Sequence, residues 1–379
     1  GSTMPHTIVC SVGTSAAKGV CSSANLASWV EDQGGVEQAA AALFTRFADI
    51  SPDGEALQST LSAEIHSLVR IGVSPADRVI FLASDTPDGQ ACAHALADYL
   101  KKHFLGILVK IFPVKGLQVH DAEVFRREGV VNFVRECLRA VRDYGTAQVI
   151  LNPTGGYKAL VPYTVLVGMV KRVPCRYIFE QSSQLLTLPP LPVAFDRGPF
   201  ERYRSLIERI ERETAISTKD WEREVRHDDR LILEPLVERT TEDVTLSAVG
   251  LLLLDEVRSP TALIPFLSRR AWEDCLDNLA QLHDCDPFRF LFRVSADNKQ
   301  LRLAEHINVG NGFRWLKPGR TTDRYLVSVE DWRLLVWRAI REDQEGSDYP
   351  QRVTVNPDDD SDWRRLGPFT RLEFADRDN

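Results

Sequence analysis

Asn152-Pro153-Thr154-Gly155-Gly156-Tyr157-Lys158 brings an amide, a hydroxyl, two adjacent glycines and a lysine into seven residues. Two glycines let a backbone approach a bound group closely, and the free N–H groups at a helix start attract anions. Thr154 adds a hydroxyl, and Lys158 a positive charge one turn further on. The segment follows the β-rich run Gln148–Leu151 and opens a helical stretch, so phosphate suits these residue types best. A plain strand-to-helix turn with an N-cap is the competing reading. The spacing matches neither the GxxxxGK[ST] phosphate loop nor the dinucleotide GxGxxG. Two further loops offer polar groups: Ser11-Val12-Gly13-Thr14-Ser15, and Ser84-Asp85-Thr86-Pro87-Asp88-Gly89. In the second, Asp85 or Thr86 serves equally as an ordinary cap for the helix from Pro87.

These loops need a frame that gathers them. Thr7–Val12, Val79–Ala83, Ile107–Val114, Gln148–Leu151 and Arg176–Phe179 are short and largely apolar, as strands buried on both faces are. Helical stretches lie between them at Pro52–Arg70, Gln90–His103, Val124–Tyr144 and Tyr157–Val170. The alternation predicts an α/β doubly wound, mostly parallel sheet. Ligands collect beyond the carboxyl ends of such strands, so the three loops share one edge. Leu188-Pro189-Pro190-Leu191-Pro192 is a stiff breaker, and residues 4–195 are expected to form the first domain.

Residues 196–260 are charge-rich, with Phe200, Tyr203, Leu206, Ile207 and Ile210 at helical spacing. Further helices are expected over Asp229–Glu238 and Thr245–Val257, giving a helical bundle. From 261 to 379 the order is a strand (Thr261–Leu267), two helices (Arg269–Leu282 and Pro287–His306) and a three-strand antiparallel meander (Arg324–Val329, Arg333–Ile340, Arg352–Val355). Ala271, Trp272, Cys275, Leu276, Leu279 and Leu282 would share the buried face of the first helix.

The chain has 379 residues and a net charge of −8, which argues against a general nucleic-acid coat. The charge is uneven: residues 196–260 carry 11 Lys and Arg against 16 Asp and Glu, while residues 287–341 carry 11 against 5. An anionic partner of the C-terminal region would meet that second, basic window. The eight histidines show no HxH or HExxH spacing, and Arg302-Leu303-Ala304-Glu305-His306 leaves three residues between Arg and His, not the four of an RxxxxH nuclease. The seven scattered cysteines form no CxxC pair, so neither a disulfide framework nor a cysteine zinc site is supported. Asp358–Asp362 reads as a solvated tail rather than a metal site, and no metal or other cofactor is expected. No apolar run reaches the roughly 18 residues of a membrane span; Val244–Val257 is the longest candidate. Gly1-Ser2-Thr3 before Met4 reads as a cloning remnant, and a cytoplasmic protein is expected.

Val12-Gly13-Thr14-Ser15, Ser84-Asp85-Thr86, Phe112-Pro113-Val114-Lys115-Gly116-Leu117-Gln118 and the segment 152–158 together resemble the CARF domains of CRISPR-associated sensors, most closely the branch containing ring nucleases. The resemblance covers about residues 5–190. It implies a dimeric, Rossmann-like sensor of cyclic oligoadenylate, the second messenger of type III CRISPR systems. The messenger would lie across a two-fold axis, contacted from both subunits by Gly13, Thr14, Ser15, Ser84, Asp85, Thr86, Gln118, Asn152, Thr154, Gly155, Gly156 and Lys158. Cyclic tetraadenylate fits a two-fold site best. Ser15 and Lys158 take the places of a serine and a lysine that support slow ligand cleavage in similar ring nucleases.

Leu316-Lys317-Pro318-Gly319, then Asp323-Arg324-Tyr325-Leu326-Val327-Ser328-Val329, then Trp332-Arg333-Leu334-Leu335-Val336-Trp337 resembles a RelE-type toxin over residues 261–379. The resemblance implies metal-free mRNA cleavage in the ribosomal A site by attack of a 2′-OH on the adjacent phosphate. Arg333 falls on a family arginine; Leu326 and Ser328 stand where lysines are expected. Lys317, Arg324, Arg338, Arg364 or Arg365 would supply the missing charge, with arginine serving as a clamp rather than a base. Trp315, Tyr325, Trp332 and Trp337 would either stack on bases or pack in the core. In CARF–RelE ribonucleases, which the whole chain resembles, a helical segment captures the ribosomal stalk protein; residues 199–257 are its place here. The leading expectation is therefore a messenger-activated mRNA interferase acting on the ribosome. The alternative is a sensor or ring nuclease with a non-catalytic C-terminal partner module.

Overall fold

A computed structural model describes residues 5–53, 62–178, 184–189, 198–258, 263–280, 286–310, 312–330, 333–341 and 368–372. The chain divides into two compact units, 1–260 and 261–379.

The first unit is built on β1 (Thr7–Val12), β2 (Arg78–Ser84), β3 (Leu108–Val114), β4 (Val149–Asn152), β5 (Cys175–Ile178) and β6 (Leu185–Leu188). Their order is β3-β2-β1-β4-β5-β6. The first five are parallel, and β6 runs antiparallel to β5. All six residues of β1 are buried, because the strand has β2 on one side, β4 on the other and helices over both faces. One face is covered by α1 (Leu26–Asp32), α2 (Val36–Phe47), α3 (Ala63–Ile71) and α4 (Pro87–His103), whose Leu26, Leu43, Ile65 and Leu96 pack on Ile8, Val79 and Phe81. The other is covered by α5 (Val130–Tyr144) and α6 (Leu160–Lys171), with Phe133, Leu138 and Val167 against Val9, Ile80 and Leu151. The doubly wound α/β architecture is as the sequence predicts.

Several boundaries differ. α1 and α2 were not anticipated: α1 is only seven residues long, and the buried face of α2 is made of Ala39, Ala40, Leu43 and Phe47, a weak apolar signal. Pro52 lies in a turn, and the described part of the expected 52–70 helix begins after Ser62, whose side chain accepts the Ile65 N–H; residues 54–61 lie outside the described residues. The helix after the glycine pair starts at Leu160 rather than Tyr157.

Residues 198–258 pack within this unit and are not purely helical. α7 (Arg204–Glu213), β7 (Ile216–Ser217), α8 (Thr218–Glu224), α9 (His227–Leu233), β8 (Val237–Arg239), β9 (Asp243–Leu246) and α10 (Ala248–Arg258) follow one another, with sheet order β7-β9-β8. The expected 229–238 helix stops early because Pro235 cannot donate to the ladder. The strands span two to four residues, too few for alternation to show. The leucine-rich α10 is core on two sides: Leu251 and Leu252 join the α5–α6 face, while Leu254 joins Trp221 and Ile210. Ionic contacts fix the same junction. Arg126 meets Glu238 at 2.7 Å, Arg127 meets Asp243 at 2.8 Å, and buried Lys171 meets Asp255 at 2.6 Å and Glu256 at 2.8 Å. Part of the acidic excess of 196–260 thus answers cations on the first sheet's helices.

The second unit holds β10 (Ile264–Leu267), α11 (Arg269–Ala280), α12 (Pro287–Ala296), α13 (Asn298–Ala304), β11 (Glu305–Gly310), β12 (Phe313–Leu316), β13 (Asp323–Glu330), β14 (Arg333–Arg341) and β15 (Thr370–Arg371). The sheet order is β11-β12-β13-β14-β10-β15, with β10 parallel to β14 and the other neighbours antiparallel. The expected 287–306 helix breaks at Asp297, whose carboxylate accepts the Lys299 N–H, and its end becomes strand β11. Leu276 is 54% exposed, so it leaves the buried face that Ala271 and Cys275 form. Leu282, the meander strand 352–355, Trp332 and the 358–362 run lie outside the described residues.

Candidate functional site

The strand order reverses between β1 and β4, and the loops leaving these two strands meet. This is the switch point at which open α/β sheets bind ligands. A cleft of ≈450 Å³ lies there, lined by Gly13, Thr14, Ser15, Thr154, Gly155 and Gly156 from the two loops, with Lys18, Ser22 and Glu64 beside them. The loops touch so closely that a Cβ on Gly13 would stand 2.9 Å from the Gly156 nitrogen. Ser11 donates from its buried hydroxyl to the Gly155 carbonyl at 2.5 Å. Gly156 has φ +81°, a conformation that glycine adopts at little cost and other residues only under strain.

The remaining candidates divide. Asn152 is buried beneath the cleft: its amide nitrogen donates to Ser67 Oγ at 2.8 Å, and its oxygen accepts from Thr154 N and Oγ1. It shapes the loop and presents nothing to a ligand. Thr154 Oγ1 also accepts the Ile178 N–H at 3.0 Å, which ties β4 to β5. Lys158 is exposed and does not line this cleft. Thr86 caps α4 by accepting the Gly89 N–H, and its hydroxyl lies 2.6 Å from that of Ser84. Asp85 is exposed, and Gln118 folds onto its own turn by accepting the His120 and Asp121 N–H groups. Neither these two nor Ser84 and Thr86 line the cleft.

Glu64, in the first turn of α3, was not anticipated. Its side chain has no exposed surface, yet Oε1 accepts the Gly13 N–H at 2.9 Å and Oε2 accepts the Ser15 hydroxyl at 2.5 Å. It reaches the cleft only because α3 packs beside β1, a long-range placement that no local motif encodes. Nearby thiols stay protonated. Burial pushes Cys10 far above its ordinary value, opposed by the Asn152 amide and assisted by the Glu64 charge. Burial, then Glu64, pushes Cys92 up to about 12. Thiolate chemistry by these two cysteines at neutral pH is therefore excluded. Among the described residues no cluster of three or more His, Cys, Asp or Glu side chains could hold a metal. No described helix is long and apolar enough to cross a membrane.

In the second unit the basic candidates do not converge. Arg324 is buried and donates to the Thr321 and Asp323 carbonyls at 2.8 Å, so it closes a turn. Arg338 pairs with buried Asp274 of α11 at 2.8 Å. Arg333 opens β14 opposite Glu330, six residues along β13 from Arg324, which is roughly 20 Å. Its guanidinium reaches Glu330 at 3.4 Å and lies 5.8 Å from the Phe266 ring, with 34% of the side chain exposed. Lys317 follows β12 and donates its backbone N–H to the Ala304 carbonyl. Trp315, Trp337 and Tyr325 are core residues at 0–1% exposure, so they do not stack on bases. Arg364 and Arg365 lie outside the described residues.

Fold and cleft together define an α/β sheet protein with a cleft at its switch point, followed by a separate β-rich unit. Residues 59–191, which include β2 to β6 and the second half of the cleft, match the family model described as CRISPR-associated protein (Cas_APE2256). No curated protein matches the chain.

Proposed function

We propose that the first unit senses a cyclic oligoadenylate, cyclic tetraadenylate for a two-fold homodimer, and that the second is a RelE-like endoribonuclease which this messenger activates against mRNA in the ribosomal A site. The observation that carries the sensor reading is the switch-point cleft, where main-chain and hydroxyl groups from the β1 and β4 loops converge beside Lys18. The match of residues 59–191 to a CRISPR-associated family supports it. The ribonuclease reading is supported by the order of strand, helices and antiparallel meander in residues 264–341 and by the basic 287–341 window. Arg333 is its transition-state clamp, since a fixed guanidinium can hold two oxygens of the attacked phosphate. The middle segment supplies the ribosomal stalk contact. Its helix α9 carries exposed Asp228 and the exposed apolar Leu231 (85%) and Ile232 (53%), a surface suited to protein rather than to nucleic-acid phosphates.

Arg333 stands far from Arg324 and Arg338, and those two are engaged in contacts within the unit, which favours a second reading, a sensor or ring nuclease whose C-terminal unit binds a partner without cutting RNA. Translating ribosomes and mRNA incubated with the protein, with and without cyclic tetraadenylate, separate the two. Messenger-dependent cuts in the A-site codon are expected, and Arg333→Ala should slow them about 10²- to 10³-fold while leaving messenger affinity unchanged. Intact mRNA in both arms establishes the second reading.

A further inference from the structure

We infer that the π turn Phe125–Gly129 relays occupancy of the switch-point cleft to strands β8 and β9 of the middle segment, with the Tyr157–Phe125 ring contact as its input and Arg126 and Arg127 as its output. The inference rests on the cleft being the messenger site.

Tyr157 directly follows the glycine pair that lines the cleft, and α6 begins only at Leu160. Its ring therefore moves with Gly155 and Gly156 rather than with the helix. It stands edge-on to the Phe125 ring, with the centroids 5.9 Å apart and the planes at 89°. Both rings are half-buried against the core on the α5–α6 face of the sheet, so a displaced Tyr157 displaces Phe125.

Phe125 opens an irregular turn. Ala122–Val124 is a short helical turn, 125–129 is a π turn closed by the Val130 N–H on the Phe125 carbonyl, and α5 follows without a break. π turns are rare inside α-helices, and each holds an inserted residue. Passing that residue along by one position re-aims the side chains it crosses by about 100°. The C-terminal end of the turn is clamped: a Cβ on Gly129 would stand 2.3 Å from the Gly116 carbonyl oxygen, in the turn after β3. The freedom lies at the Phe125 end, and the next two side chains are the ones that hold the middle segment. Arg126 meets Glu238 of β8 at 2.7 Å. Arg127 meets Asp243 of β9 at 2.8 Å, and its Nε donates to the Thr245 hydroxyl at 3.4 Å. β9 leads at once into α10, the last element before the second unit begins at residue 261. Cleft and small sheet are thus joined by a packed path with a two-register element at its centre, the physical basis that coupling between two sites requires.

The test follows amide exchange of residues 237–246 in the full chain by mass spectrometry, with and without cyclic tetraadenylate at concentrations that calorimetry shows to saturate each variant. In the wild type the messenger should change these rates at least about fivefold, the lower end of ordinary coupling. Phe125→Leu keeps an apolar side chain but removes the ring against Tyr157, and the change should fall below about twofold. Arg135→Gln cuts another contact of α5 with the middle segment, to Glu211 of α7 at 2.5 Å, and should leave the change intact. Saturable binding with unchanged wild-type rates overturns the relay while leaving the messenger site standing, and an absence of binding overturns both. A full response in Phe125→Leu, or its loss in Arg135→Gln, also overturns the relay. Should Phe125→Leu not fold, Arg127→Gln decides: a full response overturns the relay and a lost one supports it.

Discussion

Gly155→Ala is the most direct probe of how the cleft is built. The φ of Gly155 is not in the left-handed region, so its backbone would accept alanine. The obstacle is Glu64: a Cβ at 155 would stand 2.4 Å from Oε1 and 2.6 Å from Cδ. The carboxylate must retreat by at least 0.6 Å to reach even the closest contact seen for a real Cβ, 3.0 Å. It cannot do so freely, because its side chain is wholly buried and both oxygens are bonded, to Gly13 N and Ser15 Oγ. Overpacking of this kind costs about 1–3 kcal/mol. Loss of hydrogen bonds to a charged acceptor costs about 1.5–3 kcal/mol each. With one such bond broken and the loop partly yielding, we expect Gly155→Ala to destabilise the first unit by about 2–4 kcal/mol in urea unfolding. In a Glu64→Ala background the obstacle is gone, and the same substitution should cost under about 1 kcal/mol. An equal cost in both backgrounds would falsify the claim that the carboxylate fills this space.

Two further outcomes follow from the ionic contacts. Lys171→Met removes the cation that bridges Asp255 and buried Glu256, while the Arg172 guanidinium stays 3.6 Å from Glu256; a loss of about 3–5 kcal/mol is expected. A shift below about 1 kcal/mol by thermal or urea unfolding would show that this junction is not held by charge. The Thr240 hydroxyl and, after it, the Arg127 guanidinium hold the Asp243 carboxyl below the ordinary carboxylate range. Its folded value lies below its unfolded one, so its contribution is full above about pH 4 and fades as the pH falls through the folded value. The stability gap between the wild type and Asp243→Asn should accordingly close in acid, and a gap that widens there contradicts the assignment.

How far the sequence reached depended on whether a feature is local. Thr7–Val12, Val79–Ala83 and Gln148–Leu151 are legible as strands because burial on both faces leaves continuous apolar runs, and the intervening helices then impose the parallel order. The glycine pair at 155–156 and the Gly13–Ser15 loop are legible for the same reason, each being a short polar turn at the end of such a run. That Asn152 is structural was not legible, since an amide that bonds its own loop and Ser67 looks in sequence like one that awaits a ligand. The small sheet β7-β9-β8 stayed hidden because its strands are too short for a period, and only Pro235 hinted that a helix must end there. Arg324, Arg333 and Arg338 stand close together in the chain, but pairing of β13 with β14 separates the first two by the length of a hairpin. Glu64 is the clearest case. Nothing in its neighbours distinguishes it from a solvated helix carboxylate; packing α3 beside β1 puts it, wholly buried, behind Ser15 and beneath Gly155. Hydrophobic runs and turn residues act over a few positions and survive in one dimension, whereas the partners of a buried charge are chosen only when distant segments close around it.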